Sequence, residues 1–267
     1  MKNFSDLIIG ATGPLGVKLS KALENPVGAS RKSNSEDFEG ELIHSDITQH
    51  LPFNLEDFDT VYHLATLNST AKAPANTWPE VKGTRNILEE AKSLDNHPRI
   101  VYVSTGAVVD SNIENLDQFD QNGDLNYSEA NTVGEILAEN YQNSCIVRPG
   151  NIYGSGNGVI SNFLEKAENG ENLEVYGNGE QKRPFIHVED AVNALLEAEE
   201  TGSLEAYEDH YSMEEIAGEV AELYDVEIEY KKDQLVSSRT MPEGFSAYDA
   251  GISLSSWLNS QRHSEQI

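Results

Sequence analysis

The chain is poor in cysteine, in cations and in long apolar runs. Its 267 residues include one cysteine, so an internal disulfide framework is excluded. Cys145 sits in Cys145-Ile146-Val147, which reads as a buried strand, and with no base placed beside it the thiol reads as structural. No run approaches the roughly 20 apolar residues of a membrane span. The first residues lack the apolar core of a signal peptide. A reducing, cytoplasmic setting without a membrane partner is expected. Lys and Arg total 18 against 46 Asp and Glu, a formal net charge of −28. That balance argues against a basic face for nucleic acid. The acids are spread along the whole chain, which fits a highly solvated surface or adaptation to high salt, where screening removes self-repulsion. An anionic substrate then needs local Arg, Lys or helix N-termini. His44, His50, His97 and His210 show no metal-ligand spacing, and no metal is expected.

What the chain does have is a glycine turn in a defined context. In Leu7-Ile8-Ile9-Gly10-Ala11-Thr12-Gly13-Pro14-Leu15-Gly16 an apolar run ends in three glycines spaced three apart, and a helix-compatible segment follows. Missing side chains let the turn bend and let backbone approach an anion. The helix start supplies free N–H groups and a positive dipole end. Strand, glycine turn and helix in that order point to the pyrophosphate of a dinucleotide.

Strand-like and helix-like segments alternate from there. Strands are read at Asp6–Ile9, Pro26–Ala29, Glu41–His44, Thr60–Leu64, Arg99–Ser104 and Ser144–Arg148, and helices at Leu15–Leu23, Glu80–Leu94 and Ser128–Tyr141. Alternation of this kind predicts a doubly wound parallel α/β sheet, with ligands at the carboxyl ends of the strands. After about residue 150 the rhythm changes. Ile152 to Gly158 is a glycine-rich loop, helices are read at Ser161–Ala167 and Val188–Glu199, and Ser212-Met213-Glu214-Glu215 is a capping box opening a helix to Leu223. The tail from Gln234 is Ser-rich and weakly patterned. The division expected is a dinucleotide-binding domain over 1–150 and a reduced substrate lobe over 151–267, some of whose elements return to the first domain.

Several segments, taken in order, carry a resemblance. They are the glycine turn; Ser45-Asp46-Ile47; Tyr62-His63-Leu64-Ala65; Val81-Lys82-Gly83-Thr84-Arg85-Asn86-Ile87-Leu88-Glu89; Val101-Tyr102-Val103-Ser104-Thr105; Tyr127 with Gly134-Glu135; Arg148-Pro149-Gly150-Asn151-Ile152-Tyr153-Gly154; and Val175-Tyr176-Gly177-Asn178-Gly179 with Arg183-Pro184-Phe185-Ile186-His187-Val188-Glu189-Asp190. No single piece is specific, but the ordered set from residue 6 to about 200 resembles the extended short-chain dehydrogenase/reductases, in their NAD(P)-dependent sugar-nucleotide epimerase/dehydratase group.

The resemblance implies a Rossmann-like fold, an NAD or NADP cofactor, a nucleotide-sugar substrate and a homodimer formed through Glu80–Leu94 and Ser128–Tyr141. Gly10, Gly13 and Gly16, with Thr12, Pro14 and Leu15 beside them, form the pyrophosphate turn. Asp46 accepts from the adenine amino group and Ile47 flanks the ring, while Leu64 and Ala65 pass under the ribose. The second strand of NAD-binding relatives ends in an acid. Here Ser30-Arg31-Lys32 stands in its place, and Ser30 and Arg31 suit a 2′-phosphate, so NADP is the expected preference. Asn151 and Arg183 match residues facing the nucleotide sugar, Arg183 through the diphosphate. Plain alternatives stand beside these: strand-end packing for Leu64 and Ala65, a solvated turn carboxylate for Asp46, an ion pair with Glu189 or Asp190 for Arg183, a turn cap for Asn151.

The same resemblance implies hydride transfer at a sugar carbon, with Thr105 and Tyr127 as the hydroxyl pair. Here two departures arise. Four residues after Tyr127 the group has lysine, and this chain has Asn131, which can donate to a ribose hydroxyl but supplies no charge. Glu80 stands where asparagine is common. Thr105 is followed by Gly106-Ala107 rather than an acidic pair, which argues against a 4,6-dehydratase and leaves epimerase or keto-reductase. Two other readings stay open: a non-catalytic nucleotide-binding relative, and an atypical reductase of a non-sugar carbonyl.

Overall fold

The computed structural model describes residues 5–32, 34–66, 72–120, 123–232, 238–239, 241 and 245–264. Contacts divide the chain into two compact units, Met1–Arg148 with Val192–Leu204, and Pro149–Ala191 with Glu205–Ile267.

In the first unit the strands are β1 (Ser5–Ile9), β2 (Val27–Ser30), β3 (Glu41–His44), β4 (Phe58–His63), β5 (Arg99–Val103) and β6 (Ser144–Pro149). All pair parallel, in the order β3-β2-β1-β4-β5-β6. The chain reverses its direction of travel between β1 and β4, the switch point where ligands of doubly wound sheets bind. This is the Rossmann-like α/β arrangement that the alternation predicts. Buried parallel strands read as unbroken apolar runs, and Leu7, Ile8 and Ile9 in β1 are all essentially inaccessible.

Three helices join these strands: α1 (Pro14–Ser20), α2 (Thr84–Lys92) and α3 (Tyr127–Glu139). Gly13 caps α1 in an extended conformation and Pro14 fills its first turn, where no N–H is missed. α1 ends at Ser20, short of the expected Leu23, because Asn25 adopts a left-handed φ of 51° directly before Pro26. The expected helix from Glu80 begins instead as a π-helical turn, Pro79–Gly83, and becomes α-helical at Thr84. Asn126 and Glu129 form a reciprocal capping box that opens α3. Ile87, Leu88 and Ala91 of α2 join Leu7, Ile9, Val61 and Ile100 in the main core of this unit.

The second unit contains β7 (Asn151–Tyr153), β8 (Leu173–Tyr176), β9 (Lys182–His187), β10 (Asp209–Ser212) and β11 (Ile228–Lys231). β9 lies between β7 and β10, and β8 pairs in parallel with β11. Its helices are α4 (Val159–Glu168), the start of α5 (Val188–Thr201), α6 (Met213–Tyr224) and α7 (Leu254–Ser264). The Ser212–Glu215 capping box opens α6 as its spacing predicts. Phe163, Leu173, Phe185, Ile216, Leu254 and Leu258 form its core. α7 arises within the weakly patterned tail, whose residues 234–237 lie outside the described residues. No helix among the described residues is long and apolar enough to cross a membrane.

Candidate active site

The glycine turn closes directly on the switch point. Gly10 N–H donates to the Ala29 carbonyl at 2.9 Å and Leu64 N–H to the Ile9 carbonyl at 2.8 Å, so the ends of β1, β2 and β4 are tied together. Gly10 has a φ of +89°, and a Cβ there would lie 2.9 Å from the Ala65 nitrogen. A Cβ on Gly16 would lie 2.7 Å from the Ala11 carbonyl oxygen. Neither position has room for a side chain, and both neighbours are backbone. Thr12, Gly13 and Leu15 are half-buried and Pro14 is exposed, leaving the mouth of the turn open.

At the end of β2 the Ser30 hydroxyl pairs with that of Thr12 at 2.7 Å and accepts from the Lys32 N–H at 3.2 Å. Arg31 is exposed beside it. Asp46 is exposed after β3, and its Oδ1 accepts from the Thr48 N–H and hydroxyl at 3.0 and 2.7 Å. Ile47 is buried against Gly83, where a Cβ would come within 2.4 Å of the isoleucine. Asn86 fixes this corner by donating to the Ile47 carbonyl at 2.7 Å. Leu64 and Ala65 are half-buried at the end of β4.

The second group of residues surrounds α3. Thr105 follows β5, and its hydroxyl oxygen accepts from the Ala107 N–H at 3.2 Å. The short turn after it packs on α3. Tyr127 is the first residue of α3 and half-buried. Asn131 is buried, and its Nδ2 donates to the Tyr127 carbonyl at 2.9 Å, so one of its two amide hydrogens is turned back on its own helix. Behind this face lie groups that spacing alone does not reveal. Glu80 is buried on the Pro79–Gly83 turn, where Thr66 donates its hydroxyl to Oε1. Arg148 on β6 holds Glu135 of α3 through two bonds, Nε to Oε1 at 2.8 Å and Nη2 to Oε2 at 2.7 Å, both groups buried. His63 Nε2 pairs with the Thr84 hydroxyl at 2.9 Å, and burial pushes its imidazole down to about 4, so it is neutral near pH 7. Tyr102 stacks edge-on against His63, and its buried hydroxyl has no hydrogen-bond partner among the described residues. A Cβ on Gly134 would lie 2.0 Å from that hydroxyl, so α3 approaches β5 only because residue 134 is glycine. The signal for Glu80 was its departure from the family pattern. Tyr102 and Arg148 lay in the quoted motifs without a role.

In the second unit a cavity of about 190 Å³ is lined by Val159, Phe163, Val175 and Met213, with Tyr176 and Arg183 among its polar lining. Arg183 is half-buried on β9, and its Nη1 donates to the Lys182 carbonyl at 3.1 Å. Asp190, one of the ion-pair partners considered for it, accepts from the Ile252 N–H at 2.8 Å. Asn151 is exposed on β7 and donates to the Pro184 carbonyl at 3.0 Å. No cluster of three or more metal-ligating side chains is present among the described residues.

A Rossmann-like sheet with this turn at its switch point belongs to the class of dinucleotide-fold proteins. Within that class, the sequence profile of the NAD dependent epimerase/dehydratase family matches residues 7–212, and the chain belongs to that family. A dTDP-4-dehydro-6-deoxy-D-allose reductase from a Streptomyces species is 30% identical over 181 residues, 59% of this chain and 56% of that enzyme. The match thus spans little more than half of that relative's length. UDP-glucuronic acid decarboxylase 5 of Arabidopsis thaliana is 30% identical over 268 residues, 86% of this chain and 77% of the other. Among solved structures, MoeE5 in complex with UDP-glucose and NAD superposes with a TM-score of 0.72 at 23% identity, covering 98% of each chain. That likeness is one of fold.

Proposed function

We propose that this chain is an NAD(P)-dependent oxidoreductase or isomerase acting on a nucleotide sugar, of the epimerase or keto-reductase type, with Tyr127 as its acid/base group. The observation that carries this is the glycine turn. Gly10 and Gly16 leave a backbone cradle that a Cβ would fill, and backbone N–H groups at a helix start suit a pyrophosphate. In this reading Asp46 accepts from an adenine amino group, and Ile47 flanks the ring. Leu64 and Ala65 underlie the ribose. When bound, the nicotinamide supplies or accepts a hydride at the sugar carbon. Tyr127 moves the hydroxyl proton, Thr105 shares its hydrogen bond, and the second amide hydrogen of Asn131 faces the ribose.

The paired Ser30 and Thr12 hydroxyls beside Arg31 favour a 2′-phosphate, hence NADP over NAD. Arg183 and Asn151 serve the nucleotide sugar, the guanidinium on the diphosphate. The domain division at about residue 150 and a homodimer through α2 and α3 belong to the same reading. A second reading, a relative that binds nucleotides without turnover, is favoured by one observation: Asn131 brings no cation to Tyr127.

Calorimetric titration with UDP- and dTDP-sugars tests the proposal. Arg183→Ala is expected to weaken binding by about 1.5–3 kcal/mol, the range for hydrogen bonds to charged groups. Equal binding by parent and variant would remove the substrate assignment. Tight binding of cofactor and sugar with no turnover between pH 6 and 10 would select the second reading.

A further inference from the structure

We infer that α7 is a clasp on the substrate strands: docked through Asp190, Glu208 and Trp257, it orders β7 and β9, which carry Asn151 and Arg183, so that nucleotide-sugar affinity depends on its docking. This deepens the reading of those two residues above and rests on it for the ligand. Asp190, Glu208 and Trp257 are then positioning residues.

α7 is a poor helix on its own. Its 11 residues include Ser255, Ser256, Asn259 and Ser260. Serine and asparagine compete for backbone hydrogen bonds, and isolated helices shorter than about 12–15 residues are marginal in water. What holds α7 comes from elsewhere in the same unit. Just ahead of it the Ile252 N–H donates to Asp190 Oδ2 at 2.8 Å, and its first N–H, that of Leu254, donates to Glu208 Oε2 at 3.0 Å. Two carboxylates from distant segments thus stand at the positive end of the helix, where anions are favoured. The Tyr153 hydroxyl donates to the Ile252 carbonyl at 3.0 Å, and the Ser255 hydroxyl to Glu219 Oε1 at 2.7 Å. Leu254 and Leu258 are fully buried.

These anchors lead back to the substrate strands within a step or two. Trp257 packs edge-on against Tyr153 of β7, ring centres 5.1 Å apart, and its ring centre lies 5.8 Å from that of His187 of β9. Tyr153 and His187 are the last pair of the β7–β9 ladder, and Asn151 stands in its first pair. On the other side of β9, Glu208 Oε1 accepts from the hydroxyl of Tyr211, the β10 residue opposite Arg183. The Glu208 N–H donates to the Phe185 carbonyl of β9 at 2.7 Å. Asp190 lies in the first turn of α5, which follows β9 directly. An element with docked and undocked states biases whatever it contacts and is biased by it to the same degree. Docked α7 orders the two strands before the ligand arrives, and a bound ligand favours docked α7 in return. None of these contacts involves the glycine turn, so cofactor affinity should not follow.

The chain has two tryptophans, Trp78 and Trp257, so the full chain labelled with 5-fluorotryptophan gives two 19F signals, assigned by the loss of one in Trp257→Phe. In ligand-free protein, Asp190→Ala should move the Trp257 signal and speed amide exchange in β7 and β9 about tenfold while β1 and β4 stay unchanged. Asp190→Asn, which keeps an acceptor for the Ile252 N–H, should restore both. By calorimetry, UDP-glucose or dTDP-glucose, whichever the parent binds, should bind Asp190→Ala about tenfold more weakly, with NAD and NADP unmoved. The same sugar at saturation should slow exchange in α7 of the parent. If Asp190→Ala does not fold, Ser255→Ala, which removes only the bond to Glu219, should show smaller shifts in the same directions. Unchanged exchange in β7 and β9 of the folded variant overturns the inference with no ligand present. A sugar that binds parent and variant equally, or binds the parent without slowing exchange in α7, overturns it too. If neither sugar binds the parent, the nucleotide-sugar reading fails, and the ligand-free arm alone decides the clasp.

Discussion

The glycine turn and the buried cluster behind Tyr127 sit in the same unit and work by opposite means. In the turn, everything depends on atoms that are missing: Gly10 and Gly16 abut backbone, and no side chain determines the shape. Around Tyr127 everything depends on side chains that are present: Glu80, Glu135, Arg148, His63 and Asn131 are all buried and mostly paired. The turn matches its family pattern at every glycine, while the cluster departs from it at two positions. A binding site made of backbone tolerates change anywhere except where a Cβ would intrude. One made of buried charges can be retuned by a single substitution, because each charge is felt across the low-dielectric interior.

The largest effect should come from the cluster. Arg148→Met leaves Glu135 buried without its bidentate partner, and a loss of about 3–5 kcal/mol is expected in denaturant unfolding. The double variant Arg148→Met with Glu135→Leu should recover much of it. A single variant as stable as the parent would show that the cluster, like the turn, is indifferent to side-chain identity. Gly16→Ala is the matching cut at the turn. Its Cβ meets the Ala11 carbonyl oxygen, so backbone must shift, and a cost of about 1–3 kcal/mol in stability with a marked loss of cofactor affinity is expected. Unchanged melting and cofactor titration would refute a cradle shaped by missing atoms. The smallest effect tests a place where an exposed charge meets the proposed cofactor site. Arg31→Ala, exposed at the end of β2, should weaken NADP by about 1 kcal/mol and leave NAD unmoved. Equal losses for both would make Arg31 a general attraction in a chain of net charge −28.

What could be read in advance follows the same division. The turn and the strand–helix alternation were legible because both are local: three glycines after an apolar run, and apolar runs at regular intervals. The capping box at Ser212 and the start of α3 near Tyr127 were legible for the same reason. The cluster was not, because its pairs join distant segments. Glu135 and Arg148 meet across a helix and a strand, and Thr66 meets Glu80 across a turn. Asn131 was read toward the ribose, yet one amide hydrogen is taken by its own helix, a local competition typical of Asn in helices. The π-helical turn at Pro79–Gly83 breaks the 3.6-residue period that placed a helix start at Glu80. Serines crowd α7 and mask its helical pattern, whose signal is Leu254 and Leu258, four apart and fully buried.

The contact between Gly134 and Tyr102 binds two positions of the chain to a common history. A methyl group at 134 would occupy the space of the phenol oxygen and crowd the ring carbon that bears it, 2.6 Å away. Loss of the hydroxyl alone therefore does not free residue 134; the whole ring must give way to something smaller. Conversely, a small residue at 102 opens a void that a larger residue at 134 could fill. Neither change is tolerable alone, so sequences descending from this one should either keep tyrosine with glycine or exchange both at once.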